Sequence, residues 1–409
     1  MSTSRELDVV LWGATGYTGR LVADYLATTP HAATLTWALA GRDRHKLERI
    51  RVELAAVTPR LADLPILIGE AHDRASLDAI AARTRVVCTT VGPYARYGSE
   101  LVAACAAAGT HYCDLTGEVP WMREMIDAHH DTARASGARI VHTCGFDSIP
   151  SDLGVLMLHH AMRERGDRLA RVDAFFRVKG GPSGGTIHSM LGILDAARRD
   201  PAARKLLGDP YALNPATGPR GFDGPDPRGV RRDRRAGGWV GPFVMAVINT
   251  RVVRRSNALL DGAYGELLRY QEQMTFPDGV RGLAMAGAFT AGLAAFAAAS
   301  QVPPLRKRLE ARLPGPGQGP TQAEREAGFH KTRMFADGVA GTRLLGRIED
   351  HYDPGYGSTS RMLAEAALCL ALDPLDSPGG VLTPASAMGV TLIERLRAIG
   401  MVFEVENRE

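Results

Sequence analysis

Seven residues near the start of the chain constrain its fold most: Gly13-Ala14-Thr15-Gly16-Tyr17-Thr18-Gly19. The apolar run Leu7-Asp8-Val9-Val10-Leu11-Trp12 leads into them, and a helix-compatible stretch, residues 20–26, leads out. A strand that enters a glycine-rich turn and leaves as a helix is the unit that cradles a dinucleotide pyrophosphate. Glycines allow the tight turn and let phosphate oxygens approach the backbone amides. The helix N-terminus then faces the anion with unpaired N–H groups and a positive dipole end. All seven residues are therefore candidate cofactor-binding positions.

The next apolar run, residues 35–40, ends in Gly41-Arg42-Asp43. At the end of the second strand an acid favours a free ribose 2′-hydroxyl, and an arginine favours a 2′-phosphate. Arg42 thus points to NADPH rather than NADH, the alternative being a solvated arginine at a helix start. Strand-like and helix-like segments alternate to about residue 145, which implies a parallel sheet covered on both faces. Ligands of such sheets sit beyond the carboxyl ends of the strands. Glu70, after the third strand, is a candidate for the adenine or its ribose. Gly92-Pro93-Tyr94, after the fourth, would run beside the nicotinamide ribose. Asp114 and Glu118, after the fifth, read first as capping or structural hydrogen-bonding groups.

A chain of 409 residues is too long for one ordinary core, so two domains are expected. The boundaries fall as a nucleotide-binding domain at 1–150, a second domain at 151–350 and a C-terminal segment at 351–409. Net charge is +4, too mild to imply nucleic acid. The five cysteines form no Cys-x-x-Cys pair, which points to a reducing, cytoplasmic setting. His129-His130 and His159-His160 are adjacent pairs in helical patterns and do not share a helix face. No metal site is expected. The polar start, running straight into the first strand, does not read as a signal peptide.

Beyond residue 150 the alternation stops. Gly180-Gly181-Pro182-Ser183-Gly184-Gly185 opens a helix with Thr186, His188 and Ser189 near its N-terminus. Residues 208–241 are rich in Pro, Gly and Arg and read as a mobile loop or lid. Its arginines (Arg228, Arg231, Arg232, Arg234, Arg235) are either solvated or available to an anionic partner such as a carrier-protein surface or lipid headgroup. Residues 243–249 resemble a buried strand, and 264–273 look helical. Residues 283–302 are the most hydrophobic stretch, with Arg306-Lys307-Arg308 close behind. The first reading is a buried helix lining an apolar pocket. The second is an interfacial helix with a basic flank, peripheral at the inner face of the plasma membrane. A true span comes last, because alanine and glycine insert poorly. Residues 314–320 form a Pro-Gly linker. Strands at 330–339 and 341–349, a helix at 356–372, a helix at 388–399 and a strand at 401–406 follow.

Several motifs together resemble the saccharopine dehydrogenase-like oxidoreductases. These are the glycine turn, Ala40-Gly41-Arg42, Thr90-Val91-Gly92-Pro93-Tyr94 with Tyr97-Gly98, Asp114-Leu115-Thr116-Gly117-Glu118, and Gly145-Phe146-Asp147-Ser148-Ile149-Pro150-Ser151-Asp152. Residues 249–259 and 381–389 are similar to the trans-acting enoyl reductase branch. The resemblance implies an α/β fold. A Rossmann-type doubly wound parallel sheet would be joined to a second α+β domain with a mixed sheet for substrate and subunit contacts, so that a homodimer is expected. The C-terminal segment would return to the nucleotide-binding domain. The resemblance also implies NADPH-dependent reduction of a carbon–carbon double bond on a polyketide or long-chain lipid intermediate. The partner would be a polyketide synthase or carrier protein, in assembly of phthiocerol and phenolphthiocerol dimycocerosate-type lipids. Such chemistry needs a group to stabilise the enolate oxygen and a proton for the α-carbon. Tyr94 is the first candidate, Asp147 and Ser148 at the domain junction the second, and His188 the third. No lysine has a tyrosine four residues before it, which disfavours short-chain dehydrogenase chemistry. Two rivals stand beside this reading: another oxidoreductase of the same family, and a non-catalytic NADP-binding protein at a lipid surface.

Overall fold

The chain folds around two seven-stranded sheets, described here from a computed structural model over residues 5–181, 184–217, 220–311 and 318–408. The first sheet holds β1 (Leu7–Trp12), β2 (Trp37–Gly41), β3 (Ile66–Ile68), β4 (Thr84–Thr89), β5 (His111–Cys113) and β6 (Arg139–Val141). The second is assembled mainly from β7 (Leu169–Lys179), β8 (Arg231–Asp233), β9 (Gly238–Pro242), β10 (Arg269–Phe276), β11 (Phe329–Gly338) and β12 (Arg343–Asp350). Late in the chain β13 (Gly380–Leu382) joins the first sheet and β14 (Val402–Asn407) joins the second.

In the first sheet the order is β13-β6-β5-β4-β1-β2-β3 and every pairing is parallel. Helices cover both faces, so the central strands are apolar on both sides: Val9, Val10, Leu11, Val86, Val87 and Cys88 are fully buried. Such strands read as continuous hydrophobic runs rather than alternating ones. The chain order reverses between β1 and β4. That reversal opens a crevice at the strand ends where a nucleotide can lie.

The second sheet, ordered β14-β12-β11-β7-β10-β9-β8, is mixed. Only β10 and β7 run parallel, and the other neighbours are antiparallel. The helix Ile149–Glu164 connects the two sheets. It is buried along nearly its whole length and packs on β7, β11, β12 and β14. The C-terminal segment divides between the halves. Helix Thr359–Leu372 lies against helix Tyr17–Thr28 and β4, β13 pairs with β6, and β14 pairs with β12.

Three expectations are corrected. Residues 243–249 do not form a strand; β9 ends at Pro242 and helix Ala246–Leu259 follows. That helix is surrounded by protein, so its apolar residues show no one-sided period. The stretch 264–273 is not helical but enters β10, where pairing with β7 and β9 overrides its polar composition. The stretch 283–302 is helical as expected (Gly279–Ser300), but it does not line a buried pocket. Only 11% of the residues in its most apolar part are fully buried.

The basic loop is also folded down rather than free. Arg231 pairs with Asp233, Arg232 with Asp278, and Arg235 with Asp173 and Asp337. The acids Asp223 and Asp226 of the same segment hold the buried Arg254 and Arg251. A surface cation already paired has little left for an anionic partner, but Arg228 and Arg234 are exposed with no ion pair among the described residues and remain available to one.

Candidate active site

The glycine turn sits at the C-terminal end of β1, against the start of the segment after β4. Gly13 adopts φ +96°, a left-handed conformation that disfavours a side chain. A Cβ there would also meet Val91 Cγ2 at 2.5 Å, and a Cβ on Gly19 would collide with the Gly13 carbonyl. The Thr90 hydroxyl donates to that carbonyl at 3.2 Å and locks the turn. Gly16 is the N-cap of helix Tyr17–Thr28 and offers no side-chain cap, so the first-turn amides stay available to an anion. Thr15 is exposed at the apex, Thr18 is half-buried and Ala14 is buried beneath. The turn is tight at Gly13 and Gly19, where a side chain would collide, and open at the helix start, the geometry that a dinucleotide pyrophosphate requires.

Tyr17 has a more specific place than a phosphate contact. Its ring meets Tyr356 edge-on at 4.8 Å, and its hydroxyl bonds the Pro320 carbonyl and the Arg325 guanidinium. Residues 318–325 thus cross from the second domain to the glycine turn. Sequence reasoning gave no sign of this contact, because nothing local marks a crossing from residue 17 to residue 325.

Trp12 pairs with Ala40, so Arg42 stands two residues past the last rung, beside the turn. It is exposed and has no ion pair among the described residues. Asp43 does not compete for it; that carboxylate caps helix Arg44–Val57 through the Lys46 amide. Glu70 is exposed one residue after Gly69, which hydrogen-bonds Gly41. The strand ends therefore bring the glycine turn, Arg42 and Glu70 to one edge of the sheet.

Gly92, Pro93 and Tyr94 follow β4 as expected, but the Tyr94 ring turns inward. It stacks on Trp121 at 5.7 Å, its hydroxyl reaches the Thr89 carbonyl at 3.4 Å, and the Leu115 amide donates to it at 3.2 Å. Burial first, then the nearby Asp114 charge, pushes its pKa well above the ordinary tyrosine value. In this arrangement its hydroxyl is a structural group, which corrects the expectation of a free oxygen donor. Glu118 holds the same turn from below, accepting from the Tyr94 and Ala95 amides at 2.9 and 2.8 Å. Ser189, on helix Gly184–Arg199, donates to Glu118 at 3.1 Å and ties the second domain to this turn.

Asp114 is fully buried and structural. It accepts from the Tyr112 hydroxyl and from the Thr116 and Thr143 amides, and it meets His142 Nδ1 at 2.8 Å. These bonds tie the end of β5 to the end of β6.

Asp147 is different. It is half-buried at the junction of the two halves, and no other side chain among the described residues bonds its carboxyl. Burial, opposed by its own backbone amide and reinforced by Asp114, raises its pKa to about 7. A carboxyl of that kind is a proton reservoir near neutral pH. Gly145 makes room for it: a Cβ there would crowd Leu115, Thr359 and the Asp147 carboxylate. Beside it, Phe146 belongs to an aromatic cluster with Phe176, Phe243 and His330. Ser148 does not accompany Asp147 into the junction. Its hydroxyl is buried and donates to Asn249 Oδ1 at 3.0 Å, which corrects the expectation of a second donor. His188 lies within helix Gly184–Arg199, and its side chain falls outside the described residues.

Comparison with known proteins fits this geometry. Residues 9–141 match the saccharopine dehydrogenase NADP binding domain. A Mycobacterium tuberculosis protein provisionally named a trans-acting enoyl reductase is 48% identical, covering 98% of this chain and 97% of its own. A trans-acting enoyl reductase of the same organism is 42% identical over 97% of both chains. That of Mycobacterium ulcerans is 41% identical over 98% of both. Among solved structures, apo saccharopine dehydrogenase (L-Glu forming) from Saccharomyces cerevisiae shares the fold, with a TM-score of 0.54 at 13% identity over 98% of this chain and 99% of its own. With an NADP-binding parallel sheet, a mixed second sheet and relatives matching end to end, the chain belongs to the saccharopine dehydrogenase-like oxidoreductases, in their trans-acting enoyl reductase branch.

Proposed function

We propose that the protein reduces a carbon–carbon double bond of a polyketide or long-chain lipid intermediate with NADPH. It does so as a stand-alone partner of a polyketide synthase or carrier protein. The lipid class is that of the phthiocerol and phenolphthiocerol dimycocerosates. One observation carries the reading: the near full-length likeness to proteins named trans-acting enoyl reductases.

Arg42 favours NADP(H) over NAD(H), and a reduction draws on its reduced form, NADPH. The turn 13–19 would receive the diphosphate on its amides, Arg42 the 2′-phosphate, and Glu70 the adenosine end. The bound coenzyme supplies the hydride. The chain supplies position, exclusion of water and a proton. Glu118 fixes the Gly92-Pro93-Tyr94 turn at the nicotinamide end through two backbone amides. Asp147 is the proton source we assign, because its carboxyl is uncommitted, sits at the junction and is half neutral near pH 7.

A direct assay tests the reading. Purified protein is mixed with NADPH and a long-chain enoyl thioester or enone, and nicotinamide absorbance is followed. Oxidation that depends on the acceptor's double bond is expected, as is an unsaturated lipid precursor accumulating in a deletion strain. Tight NADPH binding without oxidation by any such acceptor would instead favour the non-catalytic binding protein.

A further inference from the structure

Helix Gly279–Ser300 has protein on one side and, among the described residues, none on the other. On the inner side Gly282 and Ala286 are buried, the Phe289 ring meets Phe276 at 5.7 Å, and Thr290 lies close to Gly241. These contacts fasten the helix along β9 and β10. On the outer side Val280 is 84% exposed, Leu283 43% and Met285 44%, and Ala288, Ala291, Ala294, Ala295 and Ala298 continue the strip. A helix that is apolar all round belongs inside a protein or in lipid. This one is half in each position.

Charge selects the occupant. From residue 279 to 309 there is no acidic residue, but there are four cations: Arg281, Arg306, Lys307 and Arg308. Arg306 is held by Asp195. Arg281, Lys307 and Arg308 are exposed, with no ion pair among the described residues. The short helix Pro303–Glu310 that carries the last two also exposes Leu305, and Val302 is exposed just before it. A second copy of the same strip would bring cations to cations, with carboxylates only at its two ends, Asp278, already paired with Arg232, and Glu310. An anionic lipid surface offers both an apolar layer and phosphates at its rim. An isolated interfacial helix turns its polar face to water; here that side is given to β9 and β10 instead. The same fastening keeps the helix from leaving the domain to span a bilayer.

We propose that helix Gly279–Ser300 and its basic flank form a peripheral docking surface for an anionic lipid bilayer. The helix lies in the interface plane, with Val280, Leu283 and Met285 in the headgroup–acyl boundary and Lys307 and Arg308 on lipid phosphates. The surface is linked to the cleft. Arg306 pairs with Asp195 on helix Gly184–Arg199, and Ser189 of that helix bonds Glu118 beneath the Gly92-Pro93-Tyr94 turn. A greasy acyl chain could thus be drawn from lipid close to the reducing site.

Co-sedimentation of the full chain with vesicles of equal parts phosphatidylcholine and phosphatidylglycerol tests this. Binding is expected, weaker on phosphatidylcholine alone, and reversed by alkaline carbonate. Lys307→Glu/Arg308→Glu should lower partitioning by roughly tenfold or more, since two cations become two anions. Leu283→Glu/Met285→Glu should abolish it, with both variants keeping wild-type NADPH binding and melting temperature. The surface exchange keeps the test valid should the apolar pair disturb folding. No vesicle binding, equal binding to neutral vesicles, or retention through alkaline carbonate would overturn the proposal. So would a dimer in solution that Leu283→Glu/Met285→Glu breaks, in the absence of vesicle binding.

Discussion

Among the described residues no side chain pairs with Arg42 or with the Asp147 carboxyl, and each lack has a consequence. An exposed arginine with no carboxylate to hold it can give its full charge to a 2′-phosphate. A charge-assisted bond contributes about 1.5–3 kcal/mol, and ~1.4 kcal/mol is a tenfold change in affinity. Arg42→Ala should therefore weaken NADPH binding by about ten- to hundredfold and leave NADH nearly unchanged. Equal losses for both coenzymes in fluorescence titrations would remove the phosphate role. For Asp147 the sign follows from its raised pKa. The neutral acid that donates is present below about 7 and is lost above it, so turnover should fall as pH rises through that value. Asp147→Asn should lower kcat by about 10²-fold or more and erase this limb of the pH profile. A lower kcat with the limb still in place would make Asp147 a packing residue. The position of Arg42 is legible because it depends on neighbours within one β–α unit. Tyr94 was not, because the ring's direction is set by Trp121 and Leu115, which arrive from later elements.

Between neighbouring elements, the glycine turn is where sequence and structure agree most closely. Its constraints are backbone contacts between residues six apart, and a sequence displays those openly. Gly19→Ala would push a methyl into the Gly13 carbonyl, a small overpacking that costs about 1–3 kcal/mol. The turn must open to relieve it, so NADPH affinity should fall by tenfold or more, and the melting temperature should drop by a few degrees. Unchanged affinity in the same titration would mean that the turn does not hold the diphosphate. Elsewhere the legibility of elements follows their surroundings. The strands of the first sheet are buried runs separated by helices and could be read in order. Helix Ala246–Leu259 could not, because buried Arg251, Arg254 and Arg255 interrupt any apolar pattern and are satisfied by distant partners. The polar strand β10 is stabilised by what surrounds it. Glu272 there accepts from Ser151 and Tyr270 at 2.6 Å and from Asn249 at 3.0 Å. Helix Gly279–Ser300 shows the opposite limit. Its extent was plain from composition, but which side faces protein depends on strands it does not pair with.

For the molecule as a whole, the two halves are joined through a buried carboxyl. Asp152, on the connecting helix Ile149–Glu164, takes the Ser256 hydroxyl of helix Ala246–Leu259 and the Ala385 amide that follows β13 at 2.8 Å. Three segments distant in sequence therefore meet on one side chain. Burial raises its pKa to about 7 against these bonds. An acid whose pKa rises on folding takes up a proton as the chain folds. Its contribution is full below the unfolded value of about 4 and is lost as pH climbs through about 7. Buried His159 and His330, lowered to about 4 by desolvation, act in the opposite sense. Their contribution is full above the unfolded value of about 6.5 and is lost as pH falls toward 4. The two effects offset each other in the raw stability curve, so the Asp152 contribution is isolated by comparing a variant with wild type. Asp152→Asn keeps the shape: the amide oxygen can accept from Ala385, and the amide nitrogen can donate to Ser256. Because the variant does not ionise, its melting temperature relative to wild type should rise as pH goes from about 4 to about 7 and level off above that. A difference that stays flat, or that falls with pH, would show that Asp152 is already ionised in the folded protein and that its bonds outweigh its burial.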